Sequence, residues 1–259
     1  MTSTLPDIVL LHGTGSSGDM WLRQIEFLSR RGHRCFVIDL RGHGQSDEPG
    51  HKTDIETHLA DVLETLKQTD VRHPAVFVGH SLGSIISLVI AERRPEMVAR
   101  VFAAAMPGRI FKPMVHGFRW FLDVPYTKLR GTEFHAKLAW RERTLLNTPR
   151  HTLEQIVDNF ADLNFVDRPL KVTCPVHFSV GRFDPVAPCF FVEKMHKSLP
   201  KSTLKIYEWS GHNFMDLQHE SFNRWLDEHL REHESEKSQQ LDSQDTERTD
   251  ANRNKKSAR

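Results

Sequence analysis

The stretch Gly79-His80-Ser81-Leu82-Gly83 sets a serine between two glycines. It directly follows the apolar run Ala75–Val78 and directly precedes a helical pattern, the strand–turn–helix setting of a nucleophile elbow. The glycines let strand and helix approach closely around a tight turn. Ser81 is then held in a strained conformation, with its hydroxyl presented at the helix N-terminus. The Leu82 backbone N–H points the same way and suits an oxyanion. Such a serine needs a base, and the base needs an orienting carboxylate. His212, in Trp209-Ser210-Gly211-His212-Asn213, lies just after the last apolar run. Asp184, in Gly181-Arg182-Phe183-Asp184-Pro185, lies just after the run Val176–Val180. All three fall at carboxyl ends of expected strands, where ligands bind in open α/β sheets. The chemistry that this set implies is acyl transfer through a covalent serine intermediate.

Two further motifs surround these residues. Leu11-His12-Gly13-Thr14-Gly15 follows the first apolar run, and its glycine-rich loop can aim the Thr14 N–H at the same oxyanion. Asp39-Leu40-Arg41-Gly42-His43-Gly44-Gln45-Ser46-Asp47 follows the second. It reads as structural, a tight loop of backbone-bonding side chains, and its His43 has no nucleophile partner in sequence order.

The elements that must position this chemistry alternate. Short apolar runs recur at Ile8–Leu11, Cys35–Leu40, Ala75–Val78, Val101–Ala105, Val176–Val180 and Leu204–Trp209, with the length and composition of buried strands. Helical spacing lies between them at Trp21–Arg31, Ile55–Gln68, Leu82–Arg93 and Phe190–Ser198. The alternation implies βαβ units, hence a parallel sheet of six strands flanked by helices, with the Ile8 strand between those at Cys35 and Ala75. The pattern breaks between Pro107 and Val172, where the chain is helical and aromatic without a convincing strand. Residues 107–172 are therefore expected to form a helical cap inserted in a core of residues 1–106 and 173–231. From Arg109 to Arg143 the cap carries eight Lys/Arg against three Asp/Glu. That is either a solvated face or a basic, aromatic lid suited to acidic substrates or lipid headgroups.

Bulk composition limits the function classes. Among 259 residues the formal net charge is +1, so no global charge draws the chain to nucleic acid. Hydrophobic content is only 38%, and residues 232–259, with Leu241 as their one large aliphatic, account for much of the shortfall. That charged tail is expected to be disordered. Cys35, Cys174 and Cys189 have no CxxC spacing, which excludes a disulfide framework or structural zinc site and fits a cytoplasmic chain. The N-terminus lacks the basic region of a signal peptide, and the longest mostly apolar run, Leu82–Ala91, is about half of what spans a bilayer.

LHGTGSSGDMW, DLRGHGQSD, GHSLGS, GRFDPVAP and SGHNF together resemble the α/β-hydrolase fold superfamily, in its small serine esterase and haloperoxidase-like branch. The resemblance covers roughly residues 7–230. It implies Ser81 as nucleophile, His212 as base and Asp184 as its orienter, in the order Ser…Asp…His that the fold requires. It also implies an oxyanion hole of Thr14 and Leu82. A serine nucleophile excludes the epoxide hydrolase and dehalogenase branches, which need aspartate there. Two departures from the pattern are expected: the usual opening hairpin should be missing, and Ser84 should touch the pocket floor. The implied activity is cleavage of a carboxylic ester with an apolar acyl or alcohol group, with no metal or organic cofactor. Gly13, His80, Met106 and Phe183 are the expected pocket residues. Other readings share the fold: a carbon–carbon bond hydrolase or cofactor-free lyase using the same triad, a haloperoxidase-like side activity, and a non-catalytic ligand receptor. The expected partner is a small-molecule ester, with no stable membrane insertion beyond peripheral contact through the cap, and the chain is expected to be a monomer or homodimer.

Overall fold

Six parallel strands run in the spatial order β2-β1-β3-β4-β5-β6. They are β1 (Ile8–Leu11), β2 (Cys35–Ile38), β3 (Ala75–His80), β4 (Val98–Ala104), β5 (Val176–Gly181) and β6 (Ser202–Tyr207). The computed structural model describes residues 5–48, 54–138, 140–161, 163–168 and 171–231, with backbone only at 140–142. The helices are α1 (Leu22–Ser29), α2 (Ile55–Gln68), α3 (Leu82–Arg93), α4 (Lys112–Phe121), α5 (Thr127–Leu129), α6 (Glu133–Lys137), α7 (Trp140–Asn147), α8 (Arg150–Phe160), α9 (Cys189–Ser198) and α10 (Phe214–Leu217). The chain divides into two compact units, Met1–Leu217 and Gln218–Arg259. The described part of the second is a helix over 219–231. The expected disorder of residues 232–259 lies outside the described residues.

Every residue of β1, β3 and β5 is buried, as near-continuous Val/Ile/Leu/Phe runs require of strands covered on both faces. β2 and β6 lie at the sheet edges and are only partly buried. The edges are where the strand bounds depart from the apolar runs. β6 begins at Ser202 rather than Leu204, because polar Ser202 and Thr203 pair with Val176 and His177. β2 stops at Ile38 rather than Leu40, because the Leu40 N–H donates to His12 Nε2 at 2.9 Å and not to a strand. β4 begins at Val98 rather than Val101: Arg100 interrupts the apolar run but lies buried in the strand, where its guanidinium meets His177 Nε2 at 2.7 Å.

The register brings the loops together. Leu11 pairs with both Ile38 and Gly79, His80 with Ala104, and Ala104 with Ser179. Thus the loops that follow β1, β3 and β5 all leave the sheet at the carboxyl ends of its strands. α3 follows β3 at once and is buried from Leu82 to Ala91, which explains its lack of charge before Glu92. Such close packing needs glycine. A Cβ on Gly79 would lie 2.4 Å from the Gly83 carbonyl oxygen, and one on Gly83 would lie 2.2 Å from that of Leu11. Both obstacles are backbone atoms, so relief means moving helix from strand. Gly83→Ala is expected to cost roughly 3 kcal/mol or more. Urea unfolding checks this, and an unchanged midpoint would contradict the packing.

Between β4 and β5 the chain makes α4 to α8 and, among the described residues, no strand. Only an isolated antiparallel bridge, Arg109 with Asn164, marks where it leaves and returns. There the Phe165 N–H donates to Gly108 O at 2.7 Å and the Ile110 N–H to Leu163 O at 3.0 Å. A small core of Leu122, Tyr126, Leu146 and Leu153 holds the segment, with Phe118, Phe121 and Leu145 packed against it. Tyr126 Oη donates to Thr148 O at 2.6 Å, so the one polar atom of that ring is satisfied. Part of the positive charge is paired locally: Arg109 with Asp167 at 3.6 Å and Arg119 with Asp158. No helix among the described residues is long and apolar enough to cross a membrane.

Candidate active site

Ser81 occupies the turn between β3 and α3 with φ 49° and ψ −111°, a left-handed conformation that a side chain rarely adopts. Its backbone is held on both sides. The Ser81 N–H donates to Ala104 O at 2.9 Å, while its carbonyl accepts from the Ser84 N–H at 3.0 Å and the Ser84 Oγ at 2.6 Å. Ser84 is therefore a fully buried brace of the elbow and does not line the cavity, contrary to its expected place on the pocket floor. Leu82 begins α3, so its N–H is among those that the helix itself leaves unbonded.

Asp184 is buried and holds three groups at once. Its Oδ1 accepts from the Val186 and Ala187 N–H groups, each at 2.8 Å. His212 Nδ1 lies 2.8 Å from Oδ2 and 3.0 Å from Oδ1. A carboxylate acceptor fixes the proton on Nδ1, leaving Nε2 with its lone pair in the neutral ring. His80 Nε2 lies 3.1 Å from the His212 carbonyl oxygen, and the two rings are 4.7 Å apart. His80 thus ties the elbow to the loop that carries His212.

The glycine loop after β1 is braced from below by two buried histidines. His12 Nδ1 donates to Gly13 O at 2.8 Å while Nε2 accepts from Leu40. The Gly15 N–H donates to His43 Nε2 at 2.9 Å, which leaves His43 Nδ1 to donate to Arg41 O at 2.9 Å. Burial holds the His12 pKa down to about 3 and also lowers that of His43. Both rings are neutral braces. Asp39 completes the support by accepting the Gly18 and Gln45 N–H groups at 2.6 and 2.9 Å.

Ser81, Leu82, Thr14, His80 and His212 line one cavity of about 560 Å³. Its other walls are mainly apolar, with Met114, Val115, Phe118 and Phe121 from α4 and Ile156 and Phe160 from α8. No Asp, Glu, Lys or Arg among the described residues lines it. Three expected pocket residues lie elsewhere. Gly13 is packed against His80, whose Nδ1 would sit 2.6 Å from a Cβ there. Met106 is fully buried behind the lining. Phe183 is 64% exposed, its ring 6.2 Å from that of Trp209. The residue beside a catalytic-type Asp in sequence points away from it, and the turn sends Pro185 and Val186 to the cavity instead. The α4 and α8 walls come from the cap, whose residues sequence reasoning expects as pocket walls without naming them, although Met114, Phe118 and Phe121 follow helical spacing. No group of three or more His, Cys, Asp or Glu among the described residues could hold a metal ion.

A family model described as the alpha/beta hydrolase fold matches residues 6–134. The chain is 28% identical over 247 residues to a non-heme chloroperoxidase of Streptomyces lividans, covering 83% of this chain and 88% of that one. It is 25% identical over 239 residues to a pimeloyl-[acyl-carrier protein] methyl ester esterase of Vibrio campbellii, covering 84% and 91%. In fold it is similar to an esterase from Exiguobacterium antarcticum, with a TM-score of 0.77 at 24% identity over 89% of this chain and 93% of that one. With its six-stranded parallel sheet and its serine at the β3–α3 turn, the chain belongs to the α/β-hydrolase superfamily.

Proposed function

We propose that the protein is a serine hydrolase that cleaves carboxylic esters with an apolar acyl or alcohol group through an acyl-enzyme intermediate. One observation carries this reading. The strained Ser81 and the Asp184-paired His212 face the same cavity, whose described walls are mainly apolar and carry no formal charge. Such walls favour a neutral, apolar group and penalise a charged one.

In this mechanism His212 Nε2 takes the Ser81 hydroxyl proton as Oγ attacks the ester carbonyl carbon. The carbonyl π pair moves to oxygen, and the Thr14 and Leu82 N–H groups hold that oxyanion at the positive end of α3. Collapse expels the alcohol oxygen, which takes the proton from His212. Water then enters, gives its proton to Nε2, and attacks the acyl carbon. The second oxyanion collapses, Ser81 leaves with the proton, and a carboxylic acid is released. Asp184 keeps Nδ1 protonated and stabilises the imidazolium formed in each half. One relative's name supports this chemistry, that of an esterase acting on a methyl ester.

A fluorophosphonate probe tests the reading. One adduct per chain is expected, mapped to Ser81 by peptide mass spectrometry, with turnover of p-nitrophenyl butyrate lost in step with labelling. Full turnover in fully labelled protein, or an adduct only at another residue, overturns it.

A further inference from the structure

Helix α4 forms one wall of the cavity although none of its residues is buried. Among the lining residues only Gly117, Pro185 and Val186 are also exposed, so they mark where the cavity meets solvent. Gly117 is an unexpected residue to find there. It sits inside a helix, where glycine is destabilising relative to alanine. Its φ is not in the left-handed region, and a Cβ built on it would meet nothing within 4 Å. Gly79 and Gly83, by contrast, are required by backbone atoms less than 3 Å away. Neither conformation nor packing therefore explains glycine at 117. What it supplies is open space at the cavity mouth, flanked along the helix by Met114 and Phe121.

We propose that Gly117 is a specificity-determining residue, whose missing side chain lets the long or branched apolar group of an ester extend through the cavity mouth past α4. The inference rests on the serine-hydrolase reading above and names the part of the substrate that the mouth selects. A short ester is contained within the cavity and does not use the gap. A longer one must pass Gly117, and any side chain there stands in its path. The helix forgoes the stability of alanine in exchange for that opening.

The test uses the full chain with Gly117→Ala and Gly117→Leu, both of which favour helix. The ratio of kcat/KM for p-nitrophenyl octanoate to that for the acetate is expected to fall at least tenfold in Gly117→Leu and by less in Gly117→Ala. Gly117→Ala is also expected to melt at a higher temperature than the parent. An unchanged ratio in Gly117→Leu, including one in which both esters slow equally, overturns the proposal. Nile red binding separates this failure from that of the underlying reading. If the parent turns over no ester, the Ser81 chemistry fails, whereas weaker Nile red binding by Gly117→Leu still upholds the opening and unchanged binding overturns it.

Discussion

Ser81→Ala is expected to lower kcat for p-nitrophenyl butyrate by about 10⁴-fold or more, with KM little changed, because the covalent route disappears while the cavity stays intact. Asp184→Asn is expected to lower it by about 10³–10⁴-fold for a reason specific to this turn. Oδ1 is already committed to the Val186 and Ala187 N–H groups. The asparagine oxygen should stay with those two donors, which places the amide NH₂ where Oδ2 meets His212 Nδ1. Two donors cannot face each other, so the ring must move its proton to Nε2. A protonated Nε2 cannot accept from Ser81. The loss should appear in kcat at neutral pH, with the tautomer change visible by ¹⁵N NMR of His212. Asp184→Asn activity within tenfold of the parent would show that the pair does not orient a base.

The sheet and its order were legible because buried parallel strands must be continuous apolar runs, as Ile8–Leu11 and Ala75–Val78 are. The places that resisted reading follow from the same rule in reverse. Arg100 and Ser202 are strand residues held by cross-strand partners, and an apolar-run criterion stops at them. At the site, residues adjacent to glycine turns were legible, since few backbones other than a tight elbow need Gly79 and Gly83 so close together. Pocket residues were not, because the direction of a side chain in a loop depends on bonds formed at a distance. Phe183 and Pro185 flank Asp184 equally in sequence. The Phe183 N–H donates to Ser210 O at 3.0 Å, the phenyl ring lies exposed, and Pro185 reaches the cavity. His43 could be assigned a supporting place from sequence order alone, but its partner, the Gly15 N–H, is 28 residues away and only the fold reveals it.

Two histidines buried in the core, His12 of the glycine loop and His58 of α2, are expected to make the protein acid-sensitive. His12 and His58 are fully buried, with pKa values pushed down by burial to about 3 and about 4. His12 is locked neutral, since a proton on Nε2 would face the Leu40 N–H. Neither ring nitrogen of His58 has a hydrogen-bond partner among the described residues. In the unfolded chain both rings take up a proton near pH 6.5. Between that pH and the folded-state values the unfolded state binds more protons, so stability is full above about 6.5 and falls as pH drops, levelling only near 3–4. Each ring contributes about 1.4 kcal/mol per pH unit within the window, so at pH 5 the pair removes about 4 kcal/mol relative to neutral pH. That is a large share of a typical domain's stability of about 5–15 kcal/mol. His58→Leu removes one of the two protonation sites and two buried nitrogens without partners. It should raise stability at pH 7.5 by about 1–3 kcal/mol and reduce the loss between pH 7.5 and 5 by about 2 kcal/mol. Urea midpoints across that range decide the matter. A flat parent profile would show that these rings charge freely in the native state, and an equal slope in His58→Leu would show that His58 does not contribute to the acid sensitivity.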